Sequence, residues 1–512
     1  MKTLKKSLRQ LLGKDYIEAV VSGCLVFSNL NTEDALRLAN EEIDFITESY
    51  IKKMDSLLDK VGTRVISGME HTLVGAPTEA FKKATHFSAS PIGGLGYLRL
   101  GENGKLYLAS KSEHYHAPLG HNFPGYKLID NARALGITNA THNNTRGYIT
   151  RLLERELIRT VNGIKEEDAE ALGKILASKR THVLNRVINL ETGSLACEAG
   201  IKMMLARFYK LESTSPEPKY AGLTPVFFVI ADHEGGRKAN YHGTTVIAQT
   251  MRDLWPGFYD KLDEAGIMKV CPININDIED FKSKLNQYNK PPYKVAGFIH
   301  EIIMMNYGGI KLQKDFLQKA YALCTENDIP TMCDEIQSCM WYPGMFLFRK
   351  YGLNPDFVII GKGFPGGQYA ASKIITTYEM DCLNQFGALV TNGQEELASL
   401  AYLITMAFAQ GNASYISHTG EYYENKLRGL AEKYSSLIKC IEGMGHLSSI
   451  VFYEEDTVKK FTGILNEGCI DISSQKYKAN CPPVALTKPP IISTEAMIDY
   501  LIDKMEEALK KL

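Results

Sequence analysis

A chain of 512 residues is too long for one small hydrophobic core and predicts about two to four compact units. Hydrophobic residues make up 45% of the chain and charged residues 23%, which is ordinary for a globular protein in water. The formal net charge of −1, with basic residues dispersed along the chain, argues against nucleic acid or an anionic membrane surface as a partner.

Two further features of the sequence concern where the protein works. Every apolar stretch is shorter than the roughly 18–20 residues that cross a bilayer, and residues 1–16 lack the continuous apolar core of a secretory signal. The ten cysteines include no Cys-x-x-Cys pair, which indicates buried free thiols rather than a disulfide framework or a zinc site. We therefore expect a cytoplasmic protein without a membrane segment or a metal centre.

The first part of the chain has a helical pattern. Residues 32–58 carry apolar residues at helical spacing among many charged ones, and residues 1–90 are predicted to form a mostly helical N-terminal extension. A glycine-rich passage at residues 90–105 then predicts turns and a hairpin around residues 102–104. Residues 91–140 are predicted to pack with a smaller domain.

From about residue 180, short apolar strands alternate with helical stretches. Such alternation is typical of parallel strands joined by helical crossovers. We therefore predict an α/β fold: a large domain at residues 141–400, with a mostly parallel sheet and flanking helices, and a smaller α+β domain at residues 401–512. Strands are predicted at residues 182–190, 224–231, 295–305, 329–333, 357–360 and 447–452, and helices from residue 196, over 314–326 and over 494–512.

Three predicted strand ends in the large domain present polar residues. Asp334 follows a buried strand, and Gln337 lies three residues later. Lys362 ends an apolar strand between glycines, and Gly193-Ser194 forms a turn that opens an apolar helix. Because ligands of parallel α/β sheets bind at the carboxyl ends of the strands, these segments are predicted to face one crevice.

The three segments supply complementary chemistry. A glycine-serine turn at a helix N-terminus offers backbone N–H groups and a positive dipole end to a phosphate. A carboxylate in a dry site keeps a pyridine nitrogen protonated, and a partly neutral lysine amine forms a Schiff base with an aldehyde. Taken singly, Lys362 also fits a surface lysine, Asp334 a helix N-cap and Gly193-Ser194 an ordinary helix start. Their combination favours a single site.

The stretch from Asp334 to Gly367 contains Asp-Glu-x-Gln, then Tyr-Gly-x-x-Pro-Asp, then Lys-Gly with further glycines. This order resembles the signature of the class III aminotransferases, the group that contains ornithine and 4-aminobutyrate aminotransferases. The resemblance implies a fold type I transferase with pyridoxal 5'-phosphate as its cofactor. It implies that Lys362 and Asp334 are catalytic: Lys362 carries the cofactor as a Schiff base, and Asp334 pairs with its pyridine nitrogen. Gln337 is expected near the cofactor's phenolic oxygen.

Other segments from about residue 95 onward also resemble the family. Residues 240–244 are similar to its aromatic-His-Gly motif, whose aromatic ring stacks on the cofactor, and Tyr241 is the predicted ring. Thr391 matches a threonine that reaches the phosphate of the neighbouring subunit, which implies a homodimer with shared active sites. The cofactor-binding residues implied by the resemblance are Gly193, Ser194, Tyr241, His242, Glu301, Asp334, Gln337, Lys362 and Thr391.

Three positions depart from the family's pattern. Leu195 stands where the phosphate turn usually has an acidic residue, and Ile302 replaces the proline of a Glu-Pro pair. Leu486 lies nearest the place of an arginine that grips the substrate's α-carboxylate in several members. Recognition of a carboxylate by that arginine is therefore not expected. Residues 304–309 are similar to relatives of glutamate-1-semialdehyde aminomutase.

Together these features predict a pyridoxal-phosphate-dependent aminotransferase. It would move an amino group from a small amine or amino acid to a keto-acid or aldehyde acceptor by a ping-pong mechanism. The same lysine and aspartate also serve aminomutases, racemases and decarboxylases, which stay as alternatives, and a catalytically silent binding protein is a further one. A nucleotide-dependent dehydrogenase is disfavoured, because the glycines at residues 92–96 follow no clean strand and open no helix.

Overall fold

The structure is a computed structural model that describes residues 1–475 and 481–512. The N-terminal region is largely helical, as its sequence predicts. Its elements are β1 (Lys5–Lys6), α1 (Leu8–Leu12), α2 (Lys14–Phe27), α3 (Thr32–Asn40), β2 (Ile43–Asp44), α4 (Glu48–Asp55) and α5 (Glu79–Ala84). The helical pattern of residues 32–58 is interrupted because β2 pairs with β1 and buries Phe45 and Ile46. The Thr47 side chain then accepts a hydrogen bond from the Tyr50 N–H and starts α4.

Residues 91–134 form a small antiparallel sheet followed by two helical segments. The elements are β3 (Pro91–Leu95), β4 (Leu98–Gly101), β5 (Leu106–Leu108), α6 (Ser112–Tyr115) and α7 (Lys127–Ala134). The predicted hairpin joins β4 to β5, and Gly104 in its turn has a φ of 74°. All four residues of α6 have positive φ, between 48° and 74°. This single left-handed turn is a strained conformation, which costs an L-residue roughly 1–2 kcal/mol.

The middle of the chain forms the predicted α/β unit around a seven-stranded sheet. Its elements are α8 (Tyr148–Val161), α9 (Ala169–Leu176), β6 (Leu184–Leu190), α10 (Gly193–Leu205), β7 (Thr224–Ile230), α11 (Val246–Thr250), α12 (Pro256–Glu264), β8 (Lys269–Ile273), α13 (Ile278–Tyr288), β9 (Tyr293–His300), β10 (Ile303–Met304), β11 (Ile310–Lys311), α14 (Lys314–Glu326), β12 (Thr331–Asp334), α15 (Leu347–Tyr351), β13 (Phe357–Ile360), β14 (Ser372–Thr377) and α16 (Gln385–Ala388).

The order of strands in this sheet is β6-β14-β13-β12-β9-β7-β8. The β14 strand runs antiparallel to both of its neighbours, whereas β13, β12, β9, β7 and β8 pair in parallel. The prediction of a mostly parallel sheet with flanking helices is therefore confirmed.

Helices cover both faces of the sheet, which explains why its strands are apolar throughout. Side chains of β7 point alternately to the two faces. Phe227 and Val229 pack in one core cluster with α10, whereas Phe228 packs in the other cluster against Phe281 of α13, with ring centroids 5.4 Å apart.

The last part of the chain pairs four antiparallel strands with four helices. The elements are α17 (Glu396–Gly411), α18 (Ala413–Lys433), β15 (Ile438–Glu442), β16 (Ser449–Phe452), α19 (Glu455–Glu467), β17 (Ser473–Ser474), β18 (Val484–Leu486) and α20 (Glu495–Leu509). The strand order is β15-β16-β18-β17. Backbone hydrogen bonds tie this region to the N-terminal sheet: Leu108 N–H donates to the Cys469 carbonyl at 2.9 Å, and Asp471 N–H donates to the Leu108 carbonyl at 3.0 Å.

The division of the chain at residues 90, 140 and 400 stays a prediction. Within the described ranges, none of the helices combines the length and the apolar character that a bilayer crossing requires.

A buried ionic cluster joins β4, α6 and the C-terminal region. Arg99 donates to both carboxylate oxygens of Glu113 at 2.8 Å and to those of Asp471 at 2.8 and 2.9 Å. His121 Nε2 lies 2.9 Å from the Glu113 carboxylate. Burial opposes ionisation of Glu113, but the hydrogen bond from His121 and the charge of Arg99 together lower its pKa to about 2. The cluster thus holds the strained α6 turn through Glu113.

Replacing the central cation of this cluster tests its contribution to stability. Arg99→Met leaves two partly buried carboxylates without their cation, so the free energy of unfolding should fall by about 2–4 kcal/mol at neutral pH. Because the folded pKa of Glu113 lies near 2 and its ordinary value is 4.5, the stabilisation from its ionised form is present above pH 4.5. That part is lost as the pH falls towards 2. Chemical denaturation at several pH values measures the difference between wild type and variant.

The control for this experiment is Arg37→Met. Arg37 pairs with Asp34 at 3.0 Å on an exposed helix surface, where its side chain is 70% exposed. Its removal should cost less than about 1 kcal/mol. Equal losses from the two variants would show that the Arg99 cluster contributes no more than a surface ion pair.

Candidate active site

The carboxyl ends of the neighbouring strands β12 and β13 bring Asp334 close to Lys362. The strands are parallel, with Asp334 opposite Ile359 in register, and the Glu335 N–H donates to the Ile359 carbonyl at 3.0 Å. Lys362 follows two residues after the end of β13 at Ile360. The sheet therefore delivers the predicted lysine and aspartate to one edge, where ligands of parallel sheets bind.

Lys362 lies in a tight turn between two glycines. Its φ of 49° is left-handed, which is a strained conformation of the kind that concentrates at functional sites. A Cβ on Gly361 would lie 3.7 Å from the backbone nitrogen of Gly193, and a Cβ on Gly363 would lie 2.9 Å from the Tyr115 carbonyl oxygen. The Gly361 distance is an ordinary contact, whereas the absence of a side chain at Gly363 is what allows the Lys362 turn to approach the α6 turn.

The charge state of Lys362 is set by opposing effects. Burial lowers the pKa of its amine, while the carboxylates of Glu301 and Asp334 act to raise it. Burial prevails, so the pKa lies below the ordinary value of a lysine. A larger fraction of the amine is therefore neutral, and hence nucleophilic, than for a lysine at the surface.

Asp334 is held by several buried groups. Its Oδ2 lies 3.0 Å from Nδ1 of His242, and its Oδ1 accepts a hydrogen bond from the Ile336 N–H at 3.1 Å. Asp334 and His242 are 5% and 3% exposed, so water has almost no access to this pair. These contacts fix the direction of the carboxylate at the edge of the sheet.

Cys197 of α10 is the third side chain beside Asp334. Its Sγ lies 3.9 Å from Oδ2 of Asp334, and the ligand atoms of Cys197, His242 and Asp334 all lie within 4.8 Å of one another. Burial, and then the charge of Asp334, raise the pKa of the Cys197 thiol well above its ordinary value. A protonated thiol is a poor metal ligand, so this arrangement favours a thiol that donates to the carboxylate.

Glu301 and Gln337 form a second buried polar pair. Gln337 Nε2 donates to Oε2 of Glu301 at 3.0 Å. Among the described residues, two buried atoms of the site have no hydrogen-bond partner: Oε1 of Gln337 and Nε2 of His242. Because buried polar atoms in folded proteins are nearly always satisfied, these two are suited to contact a bound group.

The turn before α10 forms a small cradle. Thr192 caps this helix by accepting a hydrogen bond from the Leu195 N–H. The Thr244 N–H donates to Ser194 Oγ at 3.1 Å, so the loop after His242 lies directly against the helix N-terminus. Gly243 makes this approach possible, since a Cβ there would lie 2.6 Å from Ser194 Cα. Free N–H groups of the first turn and the helix dipole suit the cradle to a phosphate.

Two predicted residues lie at the margins of this arrangement. Tyr241 precedes His242, is partly buried, and has the Arg252 guanidinium 5.1 Å from its ring centroid. Thr391 is exposed in a turn next to Asn392, whose N–H donates to the Glu191 carboxylate at 3.3 Å. The stacking of Tyr241 on a cofactor and the reach of Thr391 into a neighbouring subunit stay predictions.

The site also contains residues that the sequence analysis did not select. Lys488, next to Pro489, is fully buried, and its Nζ lies 4.2 Å from the Trp341 ring centroid and 4.8 Å from that of Tyr115. Lys362 Nζ lies 5.2 Å from the same Tyr115 centroid. The sequence signal that could have identified Lys488 is its position as a single lysine within the apolar run Val484–Ile492, because such a lysine is buried along with its neighbours.

The sequence profile of the aminotransferase class-III family matches residues 120–509. The chain belongs to this family. It is therefore an enzyme, a transaminase that depends on pyridoxal phosphate. The residues described above fit that cofactor: the α10 cradle suits its phosphate, the Asp334–His242 pair its pyridine nitrogen, and the Lys362 amine its aldehyde.

Individual relatives agree with this assignment. The chain is 25% identical to acetylornithine aminotransferase of Methanocaldococcus jannaschii over 410 residues, which cover 77% of this chain and 91% of the relative. It is 24% identical to putrescine aminotransferase of Pectobacterium atrosepticum, over 76% and 80% of the two chains. The solved structure of adenosylmethionine-8-amino-7-oxononanoate aminotransferase from M. jannaschii shares the fold, with a TM-score of 0.65, 20% identity, and coverage of 90% of this chain and 99% of that one.

The cradle can be tested at Gly243, whose φ is 114°. Gly243→Ala pushes Ser194 out of place, so loss of a charge-assisted hydrogen bond should weaken cofactor binding by roughly tenfold to a hundredfold. Titration of the cofactor-free protein with pyridoxal phosphate measures the dissociation constant.

The matched control is Gly235→Ala in the same loop. Gly235 also has positive φ, 80°, but a Cβ there would meet nothing within 4 Å. Both variants place a Cβ on a residue with positive φ, and only the first one brings that Cβ against Ser194. The same loss of affinity in both would mean that the loop conformation, rather than the position of Ser194, controls binding.

Proposed function

We propose that Lys362 is the amine that carries pyridoxal phosphate in this aminotransferase and that it also serves as the base of the reaction. One observation carries the proposal: a buried lysine amine with a lowered pKa lies within electrostatic range of Glu301 and Asp334 at the carboxyl edge of the sheet. Such an amine attacks a carbonyl and accepts a proton at a pH where a surface lysine stays charged.

The surrounding residues have separate tasks in this proposal. Bound pyridoxal phosphate supplies an electron sink for the charge that develops at the reacting carbon of the substrate. Asp334 would hold a proton on the pyridine nitrogen of a bound cofactor, and His242 Nδ1 would fix the carboxylate for this task. Gln337, anchored by Glu301, orients the phenolic oxygen. Ser194 and the α10 N-terminus hold the phosphate.

Lys362 then moves the proton that defines the reaction. With pyridoxal phosphate bound, the neutral Nζ of Lys362 would accept the proton from the donor carbon and hold it for return to the reacting group. The reverse sequence with a keto or aldehyde acceptor completes the ping-pong cycle. Relatives of the chain are named for acetylornithine, ornithine and putrescine, so we propose a small molecule with a primary amine as the donor.

Removal of the Lys362 amine tests this assignment. Lys362→Ala should abolish the near-violet absorption that wild-type protein shows with covalently bound cofactor. It should also slow the half-reaction by at least about 10²–10⁴-fold, because the positioned base is lost. Absorption spectra and the rate of keto-product formation from a screen of amino acids, diamines and ω-amino acids measure the two effects.

The matched control is Lys373→Met. Lys373 is another fully buried lysine, whose pKa burial lowers to about 8, but it lies on β14 outside the site. This variant should keep both the absorption band and the turnover. A wild-type protein that stays colourless after incubation with pyridoxal phosphate would contradict the proposal.

We further propose that two copies of the chain form a cytoplasmic homodimer with shared active sites. The match of Thr391 to the family's intersubunit threonine supports this. Phe386 in the nearby helix α16, which is 81% exposed, would lie in this interface. The ten cysteines are all free thiols, as in proteins of reducing compartments.

The dimer proposal predicts that association and cofactor binding are linked. Phe386→Asp places a charge in the proposed interface, so it should shift the protein towards a single chain and weaken cofactor binding by about tenfold or more. Sedimentation velocity and cofactor titration measure the two effects. Wild-type protein that sediments as a single chain with full activity would contradict the proposal.

A further inference from the structure

Lys111 is a buried amine that the proposed reaction does not use. It directly precedes the left-handed α6 turn, on a segment that lies before the family match at residues 120–509, and it is 8% exposed. In the part of the chain that the structure describes, its Nζ has one hydrogen-bond partner, His114 Nδ1 at 3.3 Å, and no carboxylate oxygen lies within 4.0 Å. A charged ammonium group, which has three N–H donors, is poorly compensated in such a place.

The α6 turn places an imidazole ring beside this amine. His114, with a φ of 60°, comes three residues after Lys111. Burial, and then the charges of Lys111 and Lys362, lower the pKa of His114 to about 4. The ring is therefore neutral at neutral pH. In the tautomer that carries its proton on Nε2, Nδ1 is the acceptor that faces the Lys111 amine.

The amine itself is neutral more often than that of an ordinary lysine. Burial lowers the pKa of Lys111 to about 8, even though Asp471 acts to raise it, and the charge of Lys362 lowers it further. At pH 7 roughly a tenth of such an amine is neutral, compared with less than about a thousandth for a lysine in water. The neutral amine is the nucleophilic form. The ionisable groups around it and in the nearby cavity wall are His86, Arg99, Glu113, His114, Lys362 and Asp471.

A small molecule can reach this amine through a cavity. Lys111 and His114 line a space of about 610 Å³ whose walls also include residues 85–86 and 88–91. A volume of this size accommodates a small organic molecule. Most of its lining residues lie before residue 120, where the family match begins. The cavity is therefore built mainly by the part of the chain that the family profile does not cover.

The character of the cavity wall favours an uncharged polar ligand. Arg99, which lines the cavity, is paired with both Glu113 and Asp471, so these three groups provide no excess of positive charge to an anion. Three residues with hydroxyl groups also line it: Thr85, Ser88 and Ser90. Hydroxyl groups donate and accept hydrogen bonds, as a small polar molecule requires.

We infer that Lys111 is a second carbonyl-reactive amine of this protein and that the cavity admits a small uncharged aldehyde to it. The site is separate from Lys362, which is not among the residues that line the cavity, and it does not depend on the role of Lys362. Transamination of a donor R–CH2–NH2 produces an aldehyde, so the activity of the family supplies this class of ligand.

The step at Lys111 is the formation of a Schiff base. The neutral Nζ attacks the carbonyl carbon and forms the C–N bond. Its two protons pass one at a time through His114 Nδ1 to the carbonyl oxygen, which leaves as water. A C=N bond between Lys111 and the aldehyde results, without any oxidant or reductant, and the addition of water reverses it.

Reductive labelling of the cofactor-loaded protein at pH 7 tests this inference. Glycolaldehyde with cyanoborohydride converts each Schiff base into a stable hydroxyethyl-lysine, which peptide mass spectrometry assigns to a residue. Lys111 should be labelled at least about tenfold faster than exposed lysines, because more of its amine is neutral. Its rate should also saturate with glycolaldehyde concentration, because the aldehyde binds in the cavity before it reacts. Labelling of Lys111 that is no faster than that of exposed lysines, or that never saturates, would overturn the inference.

Lys294 is the matched internal control. It is also 8% exposed, and burial lowers its pKa to about 8, but its Nζ donates to the side-chain oxygen of Asn289 and to the Asn327 carbonyl. It should therefore be labelled at least about tenfold more slowly than Lys111. Equal labelling of the two lysines would mean that a lowered pKa alone accounts for the reaction, and the proposed site would be wrong.

The variant His114→Phe tests the imidazole. It keeps an aromatic ring beside Tyr115, whose centroid lies 5.3 Å from that of His114, and removes Nδ1. Labelling of Lys111 should slow by about tenfold or more, while that of Lys294 stays the same and shows that the fold is intact. An unchanged rate at Lys111 would contradict the proton transfer through His114.

A charged aldehyde separates a reactive amine from a simple cation. Glyoxylate carries a carboxylate, and its labelling of Lys111 relative to Lys294 should be weaker than that of glycolaldehyde. The opposite order would show that Lys111 attracts an anion, and the inference of an uncharged ligand would be wrong. Because labels are assigned residue by residue, failure of the protein to take up pyridoxal phosphate would contradict the role of Lys362 and leave the result at Lys111 readable.

Discussion

The site depends on the burial of one amine. Lys362 lies where the sheet ends, and the balance between burial, which lowers the pKa of its amine, and the carboxylates of Glu301 and Asp334, which act to raise it, determines how often its Nζ is neutral. The Lys362 amine needs both burial and nearby carboxylates. Stronger pairing with Asp334 or Glu301 would keep the amine protonated, whereas a fully apolar pocket would leave the ammonium group formed by a proton transfer without a counter-charge. His242 fixes the direction of the Asp334 carboxylate.

The fold provides this balance by combining parts of different rigidity. The seven-stranded sheet is buried on both faces, so Asp334 and Lys362 are fixed by backbone pairing in β12 and β13. The remaining charges come from outside the sheet: Lys111 from the N-terminal region and Lys488 from the C-terminal one, which share backbone hydrogen bonds such as Lys488 N–H to the Ser110 carbonyl at 2.9 Å. The proposed catalytic pair thus lies at the edge of the sheet, and the two further lysines lie on the surrounding segments.

Local signals account for what the sequence could predict. The helix over residues 314–326 and the strand over 357–360 have their predicted bounds, because each is a short apolar run with clear ends. Two strands of the seven-stranded sheet were not predicted: β8 contains Pro272 at the sheet edge, and β14 reads as polar because Ser372, Lys373 and two threonines are buried in it. Lys488 was not predicted as a site residue for a different reason: its neighbours Tyr115 and Trp341 both lie more than a hundred residues away in the chain. Motifs reveal which residues the chemistry needs, but not which distant cations the packing adds.

The left-handed turn α6 connects the stability of the fold with the surroundings of Lys362. Four consecutive residues with positive φ store strain that Glu113 offsets through Arg99 and His121. The turn aims the Tyr115 ring at Lys362 and Lys488 and sets Lys111 at the wall of the cavity. A right-handed turn here would reverse the direction in which these side chains leave the backbone, and the three amines would no longer share one ring. The ionic cluster at Arg99 therefore holds the turn beside Lys362, as His242 holds the Asp334 carboxylate.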